Sequence, residues 1–164
     1  TRLCIEALIK FIDHTDEDVA MLGCTDAGCG SGILSLAATV LGFGKVRGFD
    51  SDPDAVRIAE ENAAGNGLSG KVSYTCADIR AALLPASTDL LLANLQANLL
   101  CDHRSTLLSA ISPGGTLCLS GVLAEEVEEV KKAFIMAKEL SKLALIIETS
   151  FAGEWAAITF RANC

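Results

Sequence analysis

The most informative residues of this chain read Asp26-Ala27-Gly28-Cys29-Gly30-Ser31-Gly32. They lie between a short apolar run and a helical pattern that extends from Ile33 to Phe43. Glycines at alternate positions allow positive φ angles and a close approach of the backbone to a ligand, and the free N–H groups of the following helix face the same point. This segment is therefore predicted to be a strand-to-helix turn that binds a nucleotide-like ligand.

The spacing of the glycines narrows the choice of ligand. The dinucleotide fingerprint GxGxxG requires a third glycine or an alanine at position 33, where this chain has Ile33. The GxxxxGKS/T loop of nucleoside triphosphate sites is absent as well. An acidic residue followed by GxGxG is also typical of S-adenosylmethionine sites, so this cofactor is favoured. A tight turn without any ligand remains the alternative.

Composition indicates one globular domain with an acidic balance of charge. The chain has 164 residues, of which 51% are hydrophobic and 21% charged, and its net charge is −8. This size and composition are those of a single domain, assigned to residues 1–164. Nucleic-acid binding depends on clustered lysine and arginine, and the sequence has no basic stripe, so no direct nucleic-acid partner is expected. The charge would attract a basic protein, although solubility alone also accounts for it.

Cysteine usage and hydropathy suggest a reducing, cytoplasmic location. The seven cysteines are an odd number without a CxxC pair, and most lie among apolar residues (positions 4, 24, 29, 76, 101, 118 and 164). They are predicted to be free core residues, with neither a disulfide framework nor a metal site. The apolar runs fall short of the ~20 residues of a membrane span, so no membrane contact is expected. The chain begins at Thr1 without a methionine, which suggests a piece of a longer gene product.

Hydrophobic periodicity predicts an alternating α/β chain. Helical spacing covers residues 1–13, 33–43, 53–65, 97–111 and 124–138, and strands are predicted at 19–25, 45–49, 72–76, 89–93, 115–120, 143–148 and 155–160. The near-continuous apolar run at 89–93 is typical of a buried parallel strand. The last two strands follow each other without a helix between them, so they are expected to form an antiparallel hairpin.

Polar residues follow three of the predicted strands at the point where each strand ends. Asp50 follows the second strand, where a carboxylate can accept hydrogen bonds from both ribose hydroxyls. A helix N-cap is the alternative role for Asp50, and Asp52 fills that role better. Asp78 follows the third strand as a candidate acceptor for an adenine amine, and Asn94 follows the fourth. Ligands of open α/β sheets bind at the carboxyl edge, so these side chains are expected around one pocket.

Six blocks of the sequence carry a resemblance to a known family. They read Asp26-Ala27-Gly28-Cys29-Gly30-Ser31-Gly32-Ile33-Leu34, Gly48-Phe49-Asp50-Ser51-Asp52-Pro53, Asn62-Ala63-Ala64-Gly65-Asn66-Gly67, Ala93-Asn94-Leu95-Gln96-Ala97, Leu119-Ser120-Gly121-Val122-Leu123 and Gly153-Glu154-Trp155. Together they resemble class I methyltransferases, and more narrowly the bacterial PrmA family, which methylates ribosomal large-subunit protein eleven. The resemblance implies a Rossmann-like α/β fold with a seven-stranded, mostly parallel sheet, a C-terminal antiparallel hairpin and helices on both faces.

The resemblance also implies which residues form the site. Those implied at the cofactor, S-adenosylmethionine, are Asp26, Gly28, Cys29, Gly30, Gly32, Asp50, Ser51, Asp78 and Asn94. The three glycines would lie beside the methionine portion, Asp50 at the ribose and Asp78 near the adenine. Asn94 and Leu95 would form the catalytic pair at the point of methyl transfer, and no metal is implied.

Methyl transfer from a sulfonium requires few catalytic groups from the protein. The leaving group is already good, so the reaction requires a neutral amine held in line with the methyl carbon. A free lysine has a pKa of ~10.4 and is almost wholly protonated at neutral pH, so acceptors that orient the neutral amine favour transfer. The Asn94 side-chain carbonyl and the Leu95 backbone carbonyl are the candidate acceptors. His103 is expected to face solvent, and a turn-forming role for Asn94 remains the alternative.

The sequence departs from the family pattern at several points. The N-terminal substrate-recognition domain and a Gly-Thr-Gly-rich segment that reaches the cofactor are expected to be missing, Gln96 replaces an aliphatic residue, and polar Thr25 occupies a buried strand position. The hypothesis is a monomeric catalytic domain that methylates lysine or α-amino nitrogens of a large-subunit ribosomal protein. Methylation of another substrate (a glutamine side chain, a small molecule or RNA) and a non-catalytic S-adenosylmethionine-binding fragment remain alternatives.

Overall fold

Seven strands form a single sheet in the structure, a computed structural model that describes residues 1–141 and 145–162. The strands are β1 (Gly23–Ala27), β2 (Lys45–Asp50), β3 (Val72–Cys76), β4 (Thr88–Asn94), β5 (Ile111–Leu123), β6 (Leu145–Ala152) and β7 (Trp155–Ala162). Their order across the sheet is β3-β2-β1-β4-β5-β7-β6. The first five strands run parallel, whereas β7 is antiparallel to both of its neighbours. The predicted α/β class and the closing antiparallel hairpin are therefore confirmed.

Within residues 1–141 and 145–162, seven α-helices cover the two faces of the sheet. They are α1 (Arg2–His14), α2 (Ile33–Val40), α3 (Pro53–Gly65), α4 (Ile79–Ala82), α5 (Ala97–Asp102), α6 (Arg104–Ala110) and α7 (Val127–Ser141). Buried residues of α1 and α2 belong to one apolar cluster, and those of α5, α6 and α7 belong to another on the opposite face. This is the arrangement with helices on both faces that the resemblance implied.

The apolar run in β4 joins the two clusters. Leu90 and Leu92 pack in the cluster with α1 and α2, whereas Leu91 and Ala93 pack in the cluster with α5 to α7, and all four are 0% exposed. Successive side chains of a strand point to opposite faces, so a strand segment that is covered on both sides takes apolar residues at successive positions. Each buried leucine contributes about 2 kcal/mol of transfer free energy. The prediction of a central buried strand at this run is confirmed.

The first strand begins later than predicted. Residues Val19–Met21 form a 3-10 turn instead of strand, because the Asp18 side chain accepts a hydrogen bond from the Ala20 N–H and caps that turn. The strand then continues to Ala27, two residues past the predicted end at Thr25. Pairing with β2 and β4 extends through Asp26 and Ala27 and overrides the weak local propensity of this segment.

Further elements differ from the prediction. The helix predicted at 97–111 is two helices that meet at His103, and Ile111 already belongs to β5. The block Leu119-Ser120-Gly121-Val122-Leu123 is part of β5 and contains a bulge, because the pairing with β7 shifts between Ser120 and Val122. The short helix α4 was not predicted; the Asp78 side chain caps it by accepting from the Arg80 N–H.

The structure also bears on the predictions about the cysteines and about membrane spans. Six cysteines are described and all are free; four of them are buried, Cys101 is half-buried and Cys76 is exposed. The predicted starting residue of β6, Leu143, and the seventh cysteine, Cys164, lie outside the described residues. None of the helices in the described part of the chain combines the length and apolarity that a membrane crossing requires.

Candidate functional site at the carboxyl edge of the sheet

The glycine segment forms a compact turn between β1 and α2. The N–H groups of Gly28 and Cys29 both donate to the carbonyl oxygen of Phe49, at 2.9 Å each, and the Gly32 N–H donates to the Cys29 carbonyl at 2.8 Å. The Gly30 N–H donates to Asp50 Oδ2 at 3.0 Å. These bonds hold the turn against the end of β2.

This use of the amides changes the interpretation of the turn. Phosphate-binding loops present several free N–H groups to their ligand. Here four amides between Gly28 and Gly32 donate to groups of the protein, so the turn itself does not have the free amides of a phosphate-binding loop. The finding agrees with the exclusion of dinucleotides and nucleoside triphosphates. That the N–H groups at the start of α2 face a ligand stays a prediction.

Gly30 is the open point of the turn. Its φ is +51°, and a Cβ built on it would meet nothing within 4 Å. By contrast, a Cβ on Gly28 would overlap the Leu95 side chain, and one on Gly32 would lie 2.5 Å from the Tyr74 hydroxyl oxygen. Gly28 and Gly32 therefore serve packing, whereas Gly30 exposes backbone at the rim.

Cys29 contributes its backbone to the turn. Its side chain is 6% exposed and lies against Gly48 of β2. Burial raises the pKa of the Cys29 thiol to about 12. Its thiol is therefore in the protonated form at neutral pH and packs as a small apolar group.

Asp50 lies at the rim next to Gly30. Oδ2 accepts from the Gly30 N–H and Oδ1 accepts from the Asp52 N–H, both at 3.0 Å. A carboxylate has about four acceptor positions, so each oxygen retains capacity for a further donor. Asp52 is the N-cap of α3 and accepts from the Asp54 N–H at 2.9 Å, as the sequence analysis preferred. Ser51 lies between the two aspartates and is exposed.

Asp78 lies at the end of the neighbouring strand. Oδ1 of Asp78 accepts from the Arg80 N–H at 2.9 Å and caps α4. The Ala77 N–H donates to the Asp50 carbonyl at 2.8 Å, which brings the ends of β2 and β3 together. A contact between Asp78 and an adenine stays a prediction.

Asp26 is buried beneath the turn. It is 1% exposed, and Oδ2 accepts from the Ser35 N–H in the first turn of α2 at 3.0 Å. Burial raises the pKa of Asp26 to about 6, and the hydrogen bonds from Ser35 oppose this effect. The side chain thus fastens α2 to β1, and a direct contact with a ligand stays a prediction.

The buried carboxyl of Asp26 should make stability depend on pH. Its pKa is raised in the folded state above the ordinary value of 3.8. The contribution of Asp26 to the free energy of unfolding is therefore fully present below about pH 4 and is lost as the pH rises through about 6. The change amounts to about 3 kcal/mol. The Asp26→Asn variant keeps an acceptor for Ser35 but cannot ionise. In urea unfolding, we expect its stability relative to the unsubstituted chain to increase by this amount as the pH rises from 4 to 7. Parallel stability curves would contradict the assignment; Asp54→Asn, at an exposed position, is the control.

Asn94 and Leu95 lie where β4 ends beside β5. The Leu95 N–H donates to the Ser120 carbonyl at 3.0 Å. A Cβ on Gly121 would lie 2.7 Å from the Leu95 carbonyl oxygen and 3.1 Å from Asn94 Oδ1. The two oxygens therefore lie side by side against a residue that has no side chain.

A cleft opens at these two oxygens. Its volume is about 380 Å³, and it is lined by Thr1, Asn94, Leu95, Gln96, Ser120, Gly121 and Trp155. The chain contains one tryptophan, and its side chain is 47% exposed here. The Leu95 side chain reaches the other way, to Gly28 in the glycine turn. Leu95 thus lines the cleft and also packs against the glycine turn.

Comparison with known proteins identifies the family. A family model described as ribosomal protein L11 methyltransferase (PrmA) matches residues 1–163. The chain belongs to this family. It is 40% identical over 164 residues to the ribosomal protein L11 methyltransferase of Geobacter metallireducens, which covers 99% of this chain and 49% of that relative. The Pelobacter propionicus member is 39% identical over 161 residues, covering 98% and 50%.

The chain spans about half the length of these PrmA relatives. Among solved structures, the ribosomal protein L11 methylase of Lactobacillus delbrueckii subsp. bulgaricus superposes with a TM-score of 0.83 at 25% identity, covering 100% of this chain and 79% of that one. An RNA methyltransferase of Salinibacter ruber in complex with S-adenosyl-L-homocysteine gives a TM-score of 0.69 at 17% identity, covering 99% and 92%. The second likeness concerns the fold alone.

Several residues of the candidate site have no signal in the sequence. Ser35 and Tyr74 support the turn, with Ser35 Oγ and the Tyr74 hydroxyl 3.0 Å apart. Ser35 lies on a helix and Tyr74 on a strand, and neither has a local sequence signal. In the sequence, Trp155 stands out only as part of a family block, because its position at the cleft depends on the pairing of β7 with β5.

Proposed function

We propose that residues 1–164 form the catalytic domain of an S-adenosylmethionine-dependent protein methyltransferase that acts on amino nitrogens of a large-subunit ribosomal protein. The observation that carries the proposal is the pair of oxygens of Asn94 and Leu95, which share the edge of one cleft beside the glycine turn. The names of the relatives support the ribosomal protein as substrate. We further propose that the target nitrogens are those of lysine side chains or α-amino groups.

The residues at the rim fit S-adenosylmethionine better than a phosphate ligand. The amides of the turn are occupied, and the charged group next to Gly30 is a carboxylate. A carboxylate repels phosphate but accepts hydrogen bonds from the two hydroxyls of a ribose. The free space above Gly30 admits a ligand against the backbone. Asp50 and Gly30 would thus hold the adenosyl portion.

The protein's own contribution to transfer is orientation. When bound, S-adenosylmethionine supplies an activated methyl group on a good leaving group. Asn94 Oδ1 and the Leu95 carbonyl accept hydrogen bonds, so together they fix the two N–H bonds of a neutral amine and direct its lone pair away from them. The proton that the ammonium loses beforehand passes to water at the open cleft, and no basic side chain is required. Both acceptors are uncharged, which leaves the amine nucleophilic.

The charge of the chain suits a basic protein substrate. The net charge is −8, and long-range attraction raises the rate at which an oppositely charged partner arrives. The longer relatives have about as many residues again outside the matched region, and we place substrate recognition there. We also propose that the domain acts as a monomer in the cytoplasm.

A direct assay tests this function. Because we place substrate recognition outside this chain, the chain is incubated with S-adenosylmethionine and a large excess of unmethylated ribosomal protein L11. The products are then digested and analysed by mass spectrometry. We expect methyl groups on lysine or α-amino nitrogens. Trp155, at the edge of the cleft, should report the first step, because S-adenosylhomocysteine should change its fluorescence. Fluorescence titration without any methylated product would favour a non-catalytic binding module, and no response in either experiment would contradict the proposal.

A further inference from the structure

One part of the sheet lacks a covering helix. Thr25, Arg47 and Ser73 occupy paired positions on β1, β2 and β3, on the face that carries Leu91 in the α5 to α7 cluster. The helix that follows β3 on this face, α4, has only four residues, and Ser73 and Thr75 are exposed. The amino ends of β1 to β4 therefore border an open trough of about 550 Å³. It lies at the edge of the sheet opposite to the glycine turn.

Three cations gather in this trough. Lys45 and Arg47 share a face of β2, and Lys71 precedes β3 at the same level, because Val46 pairs with Val72. Neighbouring strands are about 5 Å apart and alternate residues about 7 Å apart, so the backbone positions of the three cationic residues are close together. Within the described ranges 1–141 and 145–162, none of the three has a carboxylate oxygen within 4.0 Å. Such a cluster is unusual in a chain with a net charge of −8.

The acidic residue at the trough is already engaged. Asp89 Oδ2 accepts from the Gly23 N–H at 2.8 Å, and Oδ1 accepts from the Ser112 hydroxyl at 2.9 Å. Its charge is thus directed to the start of β1 and to β5. The lining retains an excess of two positive charges, because three cations face one carboxylate.

One buried and one exposed hydroxyl hold the arginine in place. Arg47 Nε donates to Thr25 Oγ1 and Nη2 donates to Ser87 Oγ, both at 2.9 Å. Thr25 Oγ1 in turn donates to Thr88 Oγ1 at 3.0 Å, and these two threonines are 1% and 2% exposed. Polar Thr25, unexpected at a buried strand position, thus serves to orient a guanidinium. A fixed guanidinium loses little freedom when it binds an anion.

We propose that this basic trough (Lys45, Arg47 and Lys71 with Thr25, Ser73 and Ser87) binds a small ligand that carries two or more phosphate groups. An arginine fork and two lysines match the oxygens of a diphosphate, and the neighbouring serine hydroxyls are further donors. The volume is in the range of small-molecule sites. None of the lining residues is aromatic, so the stacking that holds single-stranded nucleic acid is missing. The proposal does not depend on methyl transfer.

Calorimetric titration of the full chain with inorganic pyrophosphate at low ionic strength tests the site. We expect one molecule bound per chain. Removing one charged donor at a time, with Arg47→Gln, Lys45→Gln or Lys71→Gln, should weaken binding about tenfold. Lys132→Gln makes the same charge change on exposed α7 and should leave binding unaltered. Thr25→Val should weaken binding about threefold with no change in net charge, because Arg47 loses its acceptor. Thermal unfolding of each variant shows whether it is folded.

Four results would overturn the proposal. Equal affinity for citrate, a carboxylate anion of similar charge, would show a nonspecific charge effect. Binding of a single-stranded RNA oligonucleotide but not of pyrophosphate would show that the trough tracks a nucleic-acid backbone. Competition between pyrophosphate and S-adenosylhomocysteine would place the phosphates at the glycine turn, on the other edge of the sheet. Unchanged affinity for pyrophosphate in the folded Arg47→Gln and Thr25→Val variants would also overturn the proposal.

Discussion

Asp50→Ala should weaken the binding of S-adenosylhomocysteine by at least about 100-fold. A hydrogen bond to a charged group contributes about 1.5–3 kcal/mol, and the proposed ribose contact has two of them. The alanine also removes the acceptor that holds the Gly30 N–H at 3.0 Å, so the turn loses a support. Asp50→Asn keeps one acceptor oxygen and should give a smaller loss. Titration calorimetry or Trp155 fluorescence measures both.

Asp54 offers a matched control for this experiment. It lies four residues further on, in the first turn of α3, and it is exposed and paired with Arg57 at 3.4 Å. Asp54→Ala therefore removes the same charge near the rim without touching the turn. If both variants lost affinity equally, general electrostatics would account for the effect. Unaltered affinity in a folded Asp50→Ala would remove Asp50 from the site.

Gly121→Ala should reduce the rate of methyl transfer by about 100-fold at saturating cofactor. The new Cβ would lie 2.7 Å from the Leu95 carbonyl oxygen, which is backbone and can move only with the chain. A displacement of about 1 Å in a positioning group is enough for a loss of this size. The φ of +79° at the β5 bulge adds strain, so stability should fall by about 1–3 kcal/mol as well.

Gly67→Ala is a control that separates the two effects of Gly121→Ala, namely backbone strain at a positive φ and crowding of Leu95. Gly67 has a φ of +70°, and a Cβ there would meet nothing within 4 Å. It should cost about 1 kcal/mol of unfolding free energy and leave the transfer rate unchanged. Single-turnover rates and urea unfolding of the two variants give the comparison. An equal rate loss in both would mean that the crowding at Leu95 has no part in catalysis.

Local signals explain what the sequence predicted well. Helix α3 begins at Pro53 and ends at Gly65 as predicted, because the Asp52 cap, the fixed φ of proline and the closing glycine all act within a few residues. The run at β4 is too apolar to lie anywhere but in the centre of the sheet. Asp50, Asn94 and the glycine turn converge for a related reason, since parallel strands end at one edge.

Long-range contacts explain what the sequence did not predict. The close approach of Gly121 to Leu95 depends on the pairing of β4 with β5, and the trough depends on the register of β2 with β3. The sequence shows no basic stripe, because Lys45 and Lys71 lie 26 positions apart and become neighbours only in the sheet. Burial of Asp26 and the occupied amides of the turn likewise follow from tertiary packing, which periodicity does not report.

Leu95 lies between two glycines, with its side chain against Gly28 and its carbonyl against Gly121. A mutation that enlarges either glycine therefore demands a smaller residue or a shifted backbone at the leucine before the protein works again. Such a trio changes in evolution only through a coordinated pair of steps, the first of which is harmful. Lineages that diverge in substrate are thus expected to vary at Gln96 and Trp155 around the trio long before they vary within it.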